Sequence, residues 1–210
     1  MKNMRRQLRV KMQNINKSTE YNMTEYCVLE NNKEIRGKGR DLGMASALYI
    51  AKVIHYDLTL ANASSWQWWL AISPYDFKDG LVYIDMNKID GNIFDSKMMW
   101  ALGQYSRFIK PGMRRVEVDI KESKVLPNGN DEILASAYKS SDGKKLVIVM
   151  INLDERSKNV GFNYNNSLYK QARMFRTTQN SLENILPIGF YKPSDVFPIA
   201  GHSIVTIELL

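Results

Sequence analysis

The chain is short of the residues that build covalent or metal scaffolds. It has a single cysteine, Cys27, in 210 residues, so no internal disulfide framework can exist. It has only two histidines, His55 and His202, and no CxxC pair. That donor set does not fit a structural zinc site. No apolar run reaches the roughly 18 residues that a membrane-crossing helix needs. The N-terminus is basic, but no apolar segment follows it, so it does not read as a signal peptide. There is no internal repeat and no low-complexity tract.

Basic charge is in excess, but only locally. The net charge is +7. Lys2, Arg5, Arg6, Arg9, Lys11 and Lys17 fall within residues 1–17, which hold no acid. The other 23 Lys and Arg face 22 Asp and Glu. A nucleic-acid binder would spread its positive charge over a face of the body. Here the excess reads as one solvated helix face, and no nucleic-acid partner is expected. Apolar residues make up 44% of the chain, enough for a sizeable buried core.

The first half alternates between helical and strand-like patterns. Met4, Leu8, Met12 and Ile15 share a helical face. Residues 21–29 form a short apolar run that reads as a buried strand, followed by a polar loop over residues 30–40. Asp41 can cap the next helix, which runs to about Asp57. Residues 62–73 are strand-like and hold three tryptophans, and residues 80–85 read as another strand. Residues 96–109 return to helical spacing and stop at Pro111-Gly112.

After residue 112 the texture is all β. Segments 114–120, 133–139, 145–153, 160–165, 172–178 and 202–209 are evenly spaced strands, with a hairpin turn at Ser141-Asp142-Gly143. Residues 145–153 are apolar on both faces, as in a central covered strand. The expected fold class is therefore α/β plus all-β, with units at residues 1–111 and 112–210. About 110 residues of α/β is too short for a closed (β/α)8 barrel, which takes about 250. The first unit is either a small open sheet or the last part of such a barrel.

Few residues could carry chemistry. Glu25 sits near the end of the strand over residues 21–29, where barrel active sites lie. Pattern alone leaves it open between a functional carboxylate and a strand-end acid reaching water. Trp66 and Trp68 share one face of the next strand, and Trp69 takes the other. Tryptophan rings stack on the C–H faces of sugars, so Trp66 and Trp68 beside a carboxylate fit carbohydrate binding. Trp69 reads as core packing. His55, His202 and Cys27 read as structural, and Asp57, Asp76 and Asp79 as loop acids.

Residues 65–71 (SWQWWLA), 80–85 (GLVYID), 100–112 (WALGQYSRFIKPG) and 200–206 (AGHSIVT) resemble glycoside hydrolase family 30. That family includes glucosylceramidases and bacterial endo-β-1,6-galactanases. The most specific stretch is LGQYSRFIKPG, and the resemblance covers about residues 20–210. It implies the C-terminal remnant of a TIM (β/α)8 barrel followed by a β-sandwich. The Thr24-Glu25-Tyr26 triplet is similar to the family's nucleophile motif at the end of the seventh barrel strand. It implies Glu25 as nucleophile, with Trp68, then Trp66, and Tyr26 lining the sugar site.

The resemblance also implies a polysaccharide or oligosaccharide substrate with β linkages, no metal, no cofactor, and secretion or a periplasmic location for an intact member. Retaining enzymes need a second carboxyl about 5–5.5 Å from the nucleophile. In the family that acid/base follows the fourth strand. Only 24 residues precede Glu25 here, so the chain alone is expected to be inactive. The alternative is a non-catalytic carbohydrate-binding or interaction module built on the sandwich. Oligomeric state is not written in the sequence.

Overall fold

The computed structural model describes residues 1–163 and 168–210. It divides into two compact units, residues 1–96 and 97–210. The change in sequence texture at 111/112 lies later than this division. The reason is the helix over Lys97–Ser106, which packs on strands of the second unit.

The first unit is α/β. Helix α1 covers Lys2–Ile15. Strand β1 (Tyr21–Met23) pairs in parallel with β2 (Ala63–Trp66), and helix α2 (Met44–Thr59) makes the crossover. A parallel pair requires such a crossover, because a tight turn cannot reverse the chain twice. Twelve of the 16 residues of α2 are buried, so it is the core of the unit. The N-cap is Gly43 rather than the expected Asp41, but the Asp41 carboxylate still closes that end, accepting from the Gly43 N–H at 2.7 Å and the Ser46 N–H at 3.1 Å. A second small sheet holds β3 (Ile72–Ser73), β4 (Val82–Ile84) and β5 (Ile93–Asp95).

Three expectations change here. The run at 21–29 gives a strand of only three residues, and Glu25 lies past its end. Residues 62–73 supply two strands in different sheets. On α1, Met4 and Ile15 are 66% and 80% exposed, while Arg5, Leu8, Arg9 and Met12 are half-buried. The inward face therefore includes two arginines, one of which has an acidic partner described below.

The second unit begins with α3 (Lys97–Ser106). It continues with β6 (Arg114–Val116), β7 (Ile133–Lys139), β8 (Leu146–Asn152), β9 (Lys158–Val160), β10 (Ala172–Thr177), β11 (Leu186–Tyr191), β12 (Phe197–Ile199) and β13 (Ser203–Leu209). Six of these strands form one antiparallel sheet in the order β11-β10-β13-β8-β7-β6, and β9 pairs with β12. Every residue of β13 is buried. Its alternate side chains serve two layers. Val205, Ile207 and Leu209 join Phe197 and Ile199 of β12 in one apolar cluster. On the opposite face, Thr206 donates to the main-chain oxygen of Gln104 on α3.

The hairpin at Ser141-Asp142-Gly143 joins β7 and β8 as expected, with the Gly143 N–H bonded to Ser140 O. Strands β11 and β12 escaped the sequence reading because Pro187, Gly189 and Pro198 interrupt their patterns. Strand β11 tolerates its proline because it is an edge strand of the sheet. Residues 164–165 of the expected strand 160–165 lie outside the described residues. Before β13, the chain passes so close to Glu155 that a Cβ on Gly201 would meet the Glu155 carbonyl oxygen at 1.7 Å.

Candidate functional site

The carboxyl ends of β1 and β2 face the same way because the strands are parallel. Ligands gather at such ends in α/β folds. The two segments stay bonded beyond the strands. Gln67 N–H donates to Met23 O at 2.8 Å, and Trp69 N–H donates to Tyr26 O at 3.0 Å. This short ladder brackets Glu25 and sets it beside the tryptophan segment. Glu25 is exposed, with no hydrogen bond or ion pair among the described residues.

Three aromatic rings cluster here. Trp66 and Trp68 stack at 6.2 Å with an interplanar angle of 27°. Tyr26 lies 5.8 Å from Trp66 and 6.3 Å from Trp68. Each ring is tethered at its polar end. Trp66 Nε1 donates to Asp57 Oδ2 at 3.0 Å, and Trp68 Nε1 donates to Asp79 O at 2.7 Å. The Tyr26 and Tyr49 hydroxyls bond each other at 3.2 Å. Burial, then that hydrogen bond, pushes the Tyr26 phenol far above its usual pKa, so it remains neutral.

The charged groups around the cluster are paired or close to it. Arg5 Nε donates to Asp57 Oδ1 at 2.8 Å. Burial works to lower the Arg5 pKa, but the hydrogen bond and charge of Asp57 outweigh it, and the net shift is upward. The Cys27 thiol is raised above its ordinary value, first by burial and then by the charges of Asp79 and Glu25. Asp79 is 3% exposed, and its Oδ1 has no hydrogen-bond partner among the described residues.

The loop over residues 30–40 is pinned to the segment after β3. Buried Lys78 donates to Gly37 O at 2.6 Å and Gly39 O at 2.8 Å. Arg40 N–H donates to Asp76 Oδ1 at 2.9 Å. The Arg40 guanidinium lies over the Phe94 ring at 5.1 Å and the Tyr83 ring at 5.8 Å. Tyr83 is fully buried, and burial chiefly drives its phenol up to about 12.

The four sequence-selected residues, Glu25, Tyr26, Trp66 and Trp68, thus come together at one end of the β1–β2 pair. Trp69 is not core as expected: it is 47% exposed, and its peptide bond to Leu70 is cis. Asp57 lies in α2 rather than in a loop, Asp79 lies in a turn as expected, and both are buried. Arg5, Tyr49, Asp57 and Asp79 went unrecognised as supports of the site. Asp57 carried a usable signal: an acid in the last turn of a helix opposes the helix dipole, so it needs a specific partner. His55 is buried in α2 beside Tyr56, in keeping with a structural reading.

Comparison with solved structures gives the fold first: it is similar to that of part of several glycoside hydrolases. An endoxylanase of glycoside hydrolase family 30 from Clostridium papyrosolvens matches with a TM-score of 0.66 and 21% identity, over 94% of this chain and 44% of that one. The catalytic domain of family 30 xylanase C from Talaromyces cellulolyticus gives 0.70 and 20%, over 93% and 42%. A protein described as a conserved exported protein from Bacteroides fragilis gives 0.83 and 28%, over 99% and 42%. The chain thus spans less than half the length of these structures. Residues 1–83 match the model for O-glycosyl hydrolase family 30. That segment is thus similar to glycoside hydrolase family 30, the family that the motifs of the chain resemble. No helix among the described residues is long and apolar enough to cross a membrane.

Proposed function

We propose that this chain is the nucleophile-bearing part of a retaining glycosidase acting on β-linked glycans. In this reading β1 and β2 are the seventh and eighth strands of a (β/α)8 barrel, and residues 97–210 form a β-sandwich domain. Glu25 is the nucleophile, and Tyr26, Trp66 and Trp68 make the aromatic wall of the sugar site. The observation that supports the reading is that backbone bonds hold the segment of the exposed Glu25 beside the tryptophan segment, whose rings cluster with Tyr26 at the carboxyl end of a parallel pair.

The chemistry is a double displacement. A Glu25 oxygen attacks the anomeric carbon as the glycosidic oxygen departs, giving a covalent glycosyl-enzyme. The departing oxygen takes a proton from a second carboxyl, which then activates water to release the sugar. That second carboxyl belongs to a part of the barrel outside these 210 residues. The chain alone therefore turns over no ordinary glycan. Substrates in scope are β-1,6-galactan, glucosylceramide-like glycosides and, from the named activity of the endoxylanases, xylan. An exported setting fits the description of the Bacteroides fragilis relative.

The test uses a leaving group that needs no acid. A 2,4-dinitrophenyl 2-deoxy-2-fluoro-β-glycoside releases dinitrophenolate unaided and leaves a slowly hydrolysed glycosyl ester. Peptide mapping of the labelled chain is expected to place one sugar on Glu25 and none in the Glu25→Gln variant. Binding of the glycan without any label, identical in both proteins, would favour a non-catalytic carbohydrate-binding module instead.

A further inference from the structure

Asp57 is 1% exposed, in the last turn of α2. A buried carboxylate is tolerated only when it is paired and hydrogen-bonded. Both Asp57 oxygens are engaged, and by different elements: Oδ1 takes Arg5 of α1, 52 residues away, and Oδ2 takes Trp66 at the end of β2. One carboxylate therefore joins α1, α2 and β2.

The geometry matters for Trp66. An indole has two rotatable side-chain bonds and one N–H. Fixing that N–H fixes the plane of the ring. The plane of Trp66 in turn sets the stack with Trp68 and the contact with Tyr26. A sugar gains most from rings already held in place, because no side-chain entropy is lost on binding. Arg5 supplies the opposite charge that makes a buried acid admissible at this point. An arginine on a basic, surface-like helix is thereby tied to the sugar wall at one remove.

We propose that Asp57, with Arg5 as its counter-ion, is a positioning residue for glycan binding that sets the orientation of Trp66. The inference rests on the carbohydrate reading above. Its consequence is that affinity responds to two residues that never touch the ligand.

The experiment is titration of the 210-residue chain with β-1,4-xylohexaose and with β-1,6-linked gluco- and galacto-hexasaccharides, together with near-UV circular dichroism. Asp57→Leu is expected to weaken the best ligand about tenfold or more and to flatten the near-UV tryptophan bands while far-UV signal is retained. Asp57→Asn, whose amide oxygen still accepts from Trp66, is expected to lose less, and it serves if the Leu variant fails to fold. In a Trp66→Phe background, which has no N–H, Asp57→Leu is expected to add little. Full additivity of the two changes, or unchanged affinity in folded Asp57→Leu, overturns the positioning role alone. No binding by the unaltered chain overturns the carbohydrate reading and this inference with it.

Discussion

Gln104 Nε2 donates to Thr177 Oγ1 at 2.9 Å and to Ile204 O at 3.2 Å, with the side chain fully buried. These bonds pin α3 to β10 and β13, and Thr206 returns one to the Gln104 main chain at 2.7 Å. Gln104 lies in the LGQYSRFIKPG stretch, so one physical reason for that motif is a buried amide clamp. Gln104→Leu is expected to destabilise the second unit by about 1–3 kcal/mol, since buried acceptors lose their donor. Urea unfolding followed by far-UV signal measures this. Gln104 Oε1 has no hydrogen-bond partner among the described residues, which places the unbranched Gln104→Met variant near the lower end.

Cys27 reports on Glu25. Its thiol is raised by burial, then by Asp79 and Glu25, so iodoacetamide is expected to react with a pH midpoint above that of a free cysteine, about 8.5. Glu25→Gln removes one negative charge and is expected to lower that midpoint. Rate against pH, with the product located by mass spectrometry, decides it. Coincident curves would mean that Glu25 does not act on the thiol.

The second unit is expected to weaken in acid. Glu132 is lowered chiefly by its hydrogen bond from Lys158, at 2.7 Å. Asp154 is lowered further, first by Arg156, and Lys158 also lies 3.1 Å from it. Folded pKa values below the unfolded ones, about 4, mean a contribution present above that pH and lost as pH falls through the depressed values. Lys158→Met is expected to flatten the fall in Tm between neutral pH and pH 3. An unchanged slope would refute the assignment.

Lys78 holds the loop that carries Arg36, Lys38 and Arg40. Losing two hydrogen bonds from a charged donor frees the backbone at Gly37 and Gly39. Lys78→Met is therefore expected to speed trypsin cleavage at those three sites severalfold without new cuts in the second unit. Gly39→Ala should act the same way. At φ +76° a side chain is disfavoured, and its Cβ would come within 2.9 Å of Asp76 Oδ2.

Local pattern carried the helices, the hairpin at 141–143 and the long central strands, because each repeats its period over several turns or pleats. Pattern alone left Glu25 open and offered Trp66 and Trp68 as a sugar-stacking face. The family resemblance added Tyr26 and the nucleophile role, and the parallel pair brings their segments to one strand end. Pattern failed for β11 and β12, where Pro187 and Pro198 mask short strands that only pairing creates. It failed for Arg5 and Asp57 for a different reason. Their relation spans 52 residues, and no periodicity encodes an ion pair between helices. Trp69 shows the same limit: apolar chemistry suggested burial, and tertiary position left it at the surface.

The close passage of Gly201 against Glu155 limits which residues the position admits. A hydrogen is the largest group that fits there, so the turn before β13 admits one amino acid. In a saturation library that position would stand as a near-empty row. The same steric limit holds the start of the last strand in register against the turn at Glu155.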